Sequence, residues 1–202
     1  MIKYAINSRD KLGLALWEHL EMLVITLVIA LLIAALLTMA AIFSRTLANT
    51  LIYLFSVIYS IPSLALFAIM IPLTGLGKTT AITVLVVYSQ YILLRNFIAW
   101  LNGVDPAVVE AAAGMGMTRL QILFKIRLPL AKRALFAGVR LAAVSTIGIA
   151  TIAAFINAGG LGKILYEGLQ TMNIYKILWG SILSAGLAIG VNTALSRLEK
   201  KL

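Results

Sequence analysis

The chain has 202 residues, 62% of them hydrophobic and 12% charged, with a formal net charge of +10 and no cysteine. A soluble domain is nearer half apolar and about a quarter charged, so this composition excludes an ordinary water-soluble globule and indicates one polytopic, all-α membrane domain over residues 1–202. Disulfides and thiolate chemistry are excluded outright, and the positive charge suits anionic lipid headgroups better than nucleic acid.

Residues 1–19, "MIKYAINSRDKLGLALWEH", read as a short amphipathic segment lying at the membrane interface. No small-residue cleavage site follows the first apolar run, so no signal peptide is expected. His19 is the one histidine and stands beside Glu18 and Glu21. These three read as headgroup-level polar groups at the start of a span, a metal site being the lesser alternative.

A helical span takes roughly 20 apolar residues. Five stretches qualify: Leu20–Phe43, Leu47–Leu73, Thr80–Leu94, Leu135–Ile156 and Ile174–Leu195. Pro62 lies inside the second. It removes a backbone hydrogen bond and should kink the helix. The kink serves packing alone, or else sits where a neighbour or a cavity satisfies the freed carbonyl. Pro72 should end that span. Polar residues within the spans are mostly expected to join helices, and small residues such as Gly138, Gly148 and Gly186 should let helices pack closely. Ser60 and Ser63 flank Pro62, and with Gln90 they are the candidates for a pathway lining.

An odd number of spans puts the termini on opposite sides. One side then carries eleven Lys and Arg residues, including Arg95, Arg119, Lys125, Arg127 and Arg140, and the other carries six. The richer side should be cytoplasmic. The N-terminus is therefore expected outside and the C-terminus inside.

Residues 95–134 join spans three and four and are too polar to cross a membrane. Asp105-Pro106 has the chemistry of a helix start, with a carboxylate to cap free N–H groups and proline at the first helical position. "AVVEAAA" favours helix. Gly114 and Gly116 should end it, Gly116 in a left-handed turn. Thr118-Arg119-Leu120-Gln121 matches a capping box for a second helix, which Pro129 should bound. Periodicity alone would equally allow an amphipathic loop resting on headgroups.

Within this segment Glu110-Ala111-Ala112, Gly116, Ile126, Leu128 and Pro129 match the EAA motif of ABC importer permeases. That motif reads E-A-A, three residues, G, nine residues, I-x-L-P, and every fixed position is met. Further stretches, 61–77, 95–118 and 137–162, extend the resemblance over most of the chain. They look most like permeases for osmoprotectants: glycine betaine, carnitine and choline. The resemblance implies the type I ABC importer permease fold, with a cytoplasmic coupling helix between spans three and four. It implies that Asp105, Glu110, Ala111, Ala112, Gly114, Gly116, Thr118 and Arg119 meet a separate cytoplasmic ATPase, which binds the ATP and Mg. The remaining implied partners are a second permease copy or paralogue and an extracellular substrate-binding protein. Arg133 stands where relatives often have a second proline, which leaves the start of span four open. A permease for another small zwitterion, a passive channel and a membrane scaffold are the alternatives.

Two motifs fail on chemistry. "PLTGLGKTT" (72–80) has Gly77-Lys78-Thr79, but Pro72 occupies the place of the first glycine of a phosphate-binding loop. "GLGK" recurs at 160–163, and both copies are expected to be tight turns on the outer side. No carboxylate pair or Ser–His set converges by spacing, so no catalytic residue is expected. The spans are also poor in the internal charges that mark proton paths.

Overall fold

A computed structural model describes residues 1–201, whose regular structure is entirely helical, with no strand among them. The helices are α1 (Ile2–Asn7), α2 (Arg9–Ala41), α3 (Arg45–Ser60), α4 (Ser63–Thr74) and α5 (Lys78–Asn102). After them come α6 (Pro106–Gly114), α7 (Arg119–Ile122), α8 (Leu128–Ile152), α9 (Leu161–Gln170) and α10 (Ile174–Glu199). A π-helical turn, Leu123–Arg127, joins α7 to α8, and a 3₁₀ turn, Ala153–Ile156, follows α8.

The bundle is organised around α2, α5 and α8. Nine of the ten buried residues of α2 form one stripe, Leu12, Ala15, His19, Met22, Thr26, Ala30, Ala34, Thr38 and Ala41, at spacings of three and four, and Leu23 adjoins it. That spacing places them along a single face. Ala30 and Ala34 meet Leu93 of α5 and Ala142 of α8 with no side-chain exposure. Lipid supplies no hydrophobic drive between helices, so small residues that admit close backbone approach carry the packing. Helix α10 has only Gly180 buried and presents most of its surface outward.

The two ends of the bundle differ. At one end the C-terminus of α2, the start of α3 and the C-terminus of α5 meet α6 and α7. At the far end Tyr4 of α1 stacks on Tyr175 of α10, with centroids 6.4 Å apart, and Trp179 donates to the Met1 carbonyl at 3.2 Å. The start of α2 and the start of α10 therefore share the far end.

Several expectations need correction. Residues 9–19 are the first turns of α2, and only Ile2–Asn7 forms a separate helix. The segment contains no proline, and Leu12 and Ala15 pack against Leu161 and Ile164 of α9, so nothing ends the helix at residue 20. The second span is broken rather than kinked: α3 and α4 meet at 99° across Ile61 and Pro62. Pro72 lies within α4, which runs two residues further to Thr74. Pro129 bounds nothing, because helix continues from Arg119 to Ile156. The π turn directly before Leu128 lets the chain pass a proline that lies in the first turn of α8. His19 is fully buried, its Nε2 3.2 Å from the Ile147 carbonyl of α8, and is no headgroup residue. Finally, α9 falls where only a turn was expected.

Helix α9 docks by means of Gly162. A Cβ built there would lie 2.0 Å from the Thr151 carbonyl oxygen, and the second "GLGK" caps and begins this helix rather than forming only a tight turn. Gly162→Ala should lower the thermal unfolding temperature of the detergent-solubilised chain by the equivalent of about 1–3 kcal/mol. Gly186→Ala, at a position with nothing within 4 Å, should leave it unchanged. Equal melting of the two variants would contradict this packing.

Candidate functional site

The segment between α5 and α8 builds its own geometry from local chemistry. The Asp105 carboxylate accepts from the Ala107 N–H at 2.9 Å, and Pro106 opens α6. At the other end Gly116 N donates to Ala113 O and Met117 N to Ala112 O, at 2.9 and 3.2 Å, with Gly116 at φ +80°. This pair of bonds around a left-handed glycine closes the helix and satisfies two terminal carbonyls. The Thr118 N–H then donates to Gln121 Oε1 at 2.8 Å, and the Gln121 N–H to Thr118 Oγ1 at 3.3 Å. Both bonds of the capping box are present, and α7 starts at Arg119.

Side chains on α6 divide by face. Ala112 is buried at 1% exposure, on the helix that packs against α7 and the π turn. Val108, Glu110, Ala111, Ala113 and Gly114 are exposed, and Met115 projects at 76% exposure. The outward face is thus nearly bare backbone, with one carboxylate and one flexible apolar knob. Glu110 makes no ion pair among the described residues. It borders a groove of about 710 Å³ between α6 and the ends of α2, α3 and α5, whose other polar walls include Arg45, Asn49, Asn102 and Arg127. Arg127 donates to Asn102 at 3.1 Å, tying the π turn to the end of α5.

The break between α3 and α4 is the second feature. Ser60 and Pro62 are exposed there and Ser63 is half-buried, so these three come together. Gln90 does not join them. It is 2% exposed and faces α2, donating to the Ala30 and Val86 carbonyls at 3.1 and 3.2 Å. The Tyr88 hydroxyl donates to the Ile61 carbonyl, one of the groups the broken helix leaves open. Tyr59 lies edge-on to Tyr88 at 5.5 Å and tilted over Tyr91 at 5.0 Å. Arg95 donates to the Tyr91 hydroxyl at 2.7 Å. Read from the sequence, Tyr88 and Tyr91 count among the polar residues of the spans but are not joined to Tyr59 or Arg95, although 88, 91 and 95 share one face of α5 by their spacing.

The far end carries a polar clasp. Glu18 accepts from the Gly160 N–H at 2.9 Å, and Glu21 pairs with Lys78 at 2.7 Å. Gly159 and Gly160 are both left-handed, and a Cβ on Gly159 would lie 2.4 Å from Glu18 Oε2. One helical turn of α2 thus holds the turns that begin both α5 and α9.

Comparison with known proteins agrees with this geometry. Residues 27–202 match the family model described as binding-protein-dependent transport system inner membrane component. A carnitine transport permease protein of Listeria monocytogenes is 36% identical over 186 residues, 92% of this chain and 85% of that protein. A glycine betaine/carnitine/choline transport system permease protein of Bacillus subtilis is 34% identical, covering 91% of this chain and 85% of that one. Among solved structures, the MetNI methionine ABC transporter superposes with a TM-score of 0.88 at 23% identity, covering 96% of this chain and 97% of that one. The fold is that of the type I ABC importer permeases.

The glycine turn is the part of the α6–α7 segment most sensitive to one side chain. Gly116→Val forces a β-branched residue into the left-handed region. Uptake by the assembled transporter should fall at least tenfold, while the chain still inserts into the membrane at the wild-type level. Wild-type uptake by a well-expressed variant would show that the turn has no part in transport.

Proposed function

The chain belongs to the family of binding-protein-dependent transport system inner membrane components, the permease subunits of ABC importers, and from that premise we propose that it carries osmoprotectants. The substrate class is glycine betaine, carnitine, choline or a related small solute. The names of the relatives support that class.

In this reading the α6–α7 segment is cytoplasmic and docks on a separate ABC ATPase, which binds ATP and Mg and hydrolyses the nucleotide. Asp105, Gly114, Gly116, Thr118 and Arg119 shape the docking element, while Glu110, Ala111 and the Ala-rich face around Ala112 offer the contact. The observation that carries the proposal is mechanical. Helix is continuous from Arg119 to Ile156, roughly 55 Å at 1.5 Å per residue. A push on α6 and α7 is therefore delivered to the far end of α8, where His19 holds Ile147 and Gly162 presses on Thr151. An extracellular binding protein delivers substrate at that far end. A second permease copy or paralogue completes the path, with Ser60, Pro62 and Ser63 on its wall and Gln90 holding α5 to α2. The N-terminus is outside and the C-terminus inside. The basic residues support this orientation, since Arg95, Arg119, Arg127 and Arg140 all lie toward the α6–α7 end.

Two experiments test the proposal. Proteoliposomes holding permease, ATPase and binding protein should take up labelled glycine betaine only with ATP. Glu110→Ala should weaken ATPase association at least tenfold, about 1.4 kcal/mol, because truncating one partner of a desolvated charged contact costs about 2–5 kcal/mol. Flux without the ATPase would identify a channel, and equal affinities would reduce Glu110 to a surface charge.

Orientation is tested separately in this cysteine-free chain. Position 160, buried against His19 and Met22, is unsuitable for labelling; Leu76 and Met115 are 67% and 76% exposed. Leu76→Cys should react with an impermeant thiol reagent in intact cells, and Met115→Cys only in opened ones. The reverse pattern would invert the topology and remove the docking role.

A further inference from the structure

We propose that Tyr59, Tyr91 and Arg95 form a subsite on the translocation path for a zwitterion that bears both a quaternary ammonium and a carboxylate. The inference rests on the osmoprotectant reading and specifies where, within the membrane domain, such a solute is held.

A quaternary ammonium has no N–H and cannot donate a conventional hydrogen bond. It is stabilised by anions or by the faces of aromatic rings. Residues 45–102, which form the broken crossing and α5, contain no Asp or Glu, yet hold four of the seven tyrosines of the chain. On this wall the π faces are the groups available to a cation. Tyr88 is 3% exposed and its hydroxyl is engaged by Ile61, so it forms the backing. Tyr59 and Tyr91 are half-buried, with centroids 5.0 Å apart, and retain open ring surface. Tyr59 directly precedes the exposed Ser60 and stands three residues before the exposed Pro62, at the break in the crossing.

Arg95 supplies the other half. Its side chain is exposed, its Cζ is 5.8 Å from the Tyr91 centroid, and one Nη donates to the Tyr91 hydroxyl. No carboxylate among the described residues pairs with it. A guanidinium has five N–H donors in a fork that matches a carboxylate. A site for an anion and two π faces therefore stand within the length of one small zwitterion. A cation without a carboxylate, such as choline, gains only the rings and is repelled by Arg95. The wall thus discriminates by charge pattern, independently of the binding protein.

The test uses the complete transporter in proteoliposomes, with uptake of labelled glycine betaine and choline measured side by side. Arg95→Gln should lower the betaine-to-choline uptake ratio at least tenfold. A folding defect would reduce both solutes alike and leave the ratio unchanged. Tyr91→Leu should reduce betaine uptake at least tenfold, whereas Tyr91→Phe, which keeps the ring, should retain more than half. An unchanged ratio in Arg95→Gln, or equal defects in the two Tyr91 variants, would overturn the subsite. Where the wild type imports no choline, the Tyr91 pair alone decides. If the wild-type complex imports no zwitterion at all, the osmoprotectant reading itself fails and the subsite falls with it.

Discussion

In hydrocarbon every backbone N–H and C=O must find its partner inside the protein, because leaving one open costs several kcal/mol. That constraint makes the chain helical, and it also governs the places where helix stops. Each interruption within the bundle has a side chain assigned to it. Tyr88 serves the Ile61 carbonyl at the α3–α4 break, Thr80 serves the Gly75 carbonyl before α5, and Glu18 serves the Gly160 N–H before α9. The breaks are therefore fixed structural features. They place irregular backbone beside Ser60 and Ser63 and at the far-end turns.

Against these fixed points the rest of the bundle is a set of rods packed through small residues. Ala30 and Ala34 of α2 and Ala142 and Ala150 of α8 have no exposed surface, so the helices meet backbone to backbone. The close seating of Gly162 on Thr151 extends the same logic to α9. A contact between backbones resists sliding and transmits displacement. The α7–α8 rod passes from the α6–α7 segment to that contact without a hinge, its π turn absorbing Pro129. Outside the bundle, α6 hangs on caps at both ends, each made by side chains or a glycine of the segment itself. It can therefore keep its shape while its position shifts.

Much of this was legible in the sequence. Asp105-Pro106, Gly116 and the Thr118–Gln121 box are local devices whose bonds run over two to five residues, and they formed as read. Five apolar stretches named the crossings. What failed was everything decided by distant partners. His19 reads as a lip residue until Ile147, 128 positions away, is seen to accept its bond. Gln90 reads as a pathway residue until Ala30 is found opposite it. Helix α9 has an apolar stripe too short to stand out as a span, and it is stabilised by α2 and α10 rather than by its own composition. Tyr88 and Tyr91 read only as polar residues of a span, and their meeting with Tyr59 was not legible because Tyr59 sits on a different helix.

The central claim is that the α6–α7 segment alone receives the force of ATP hydrolysis, while the α2–α5–α8 packing stays intact. Amide hydrogen exchange on the membrane-embedded permease, with and without its ATPase, addresses that claim most directly. Residues 105–122 should gain protection of at least tenfold on ATPase binding, with exchange in α2, α5 and α8 unchanged. Protection appearing elsewhere on the chain, and none across 105–122, would contradict the account.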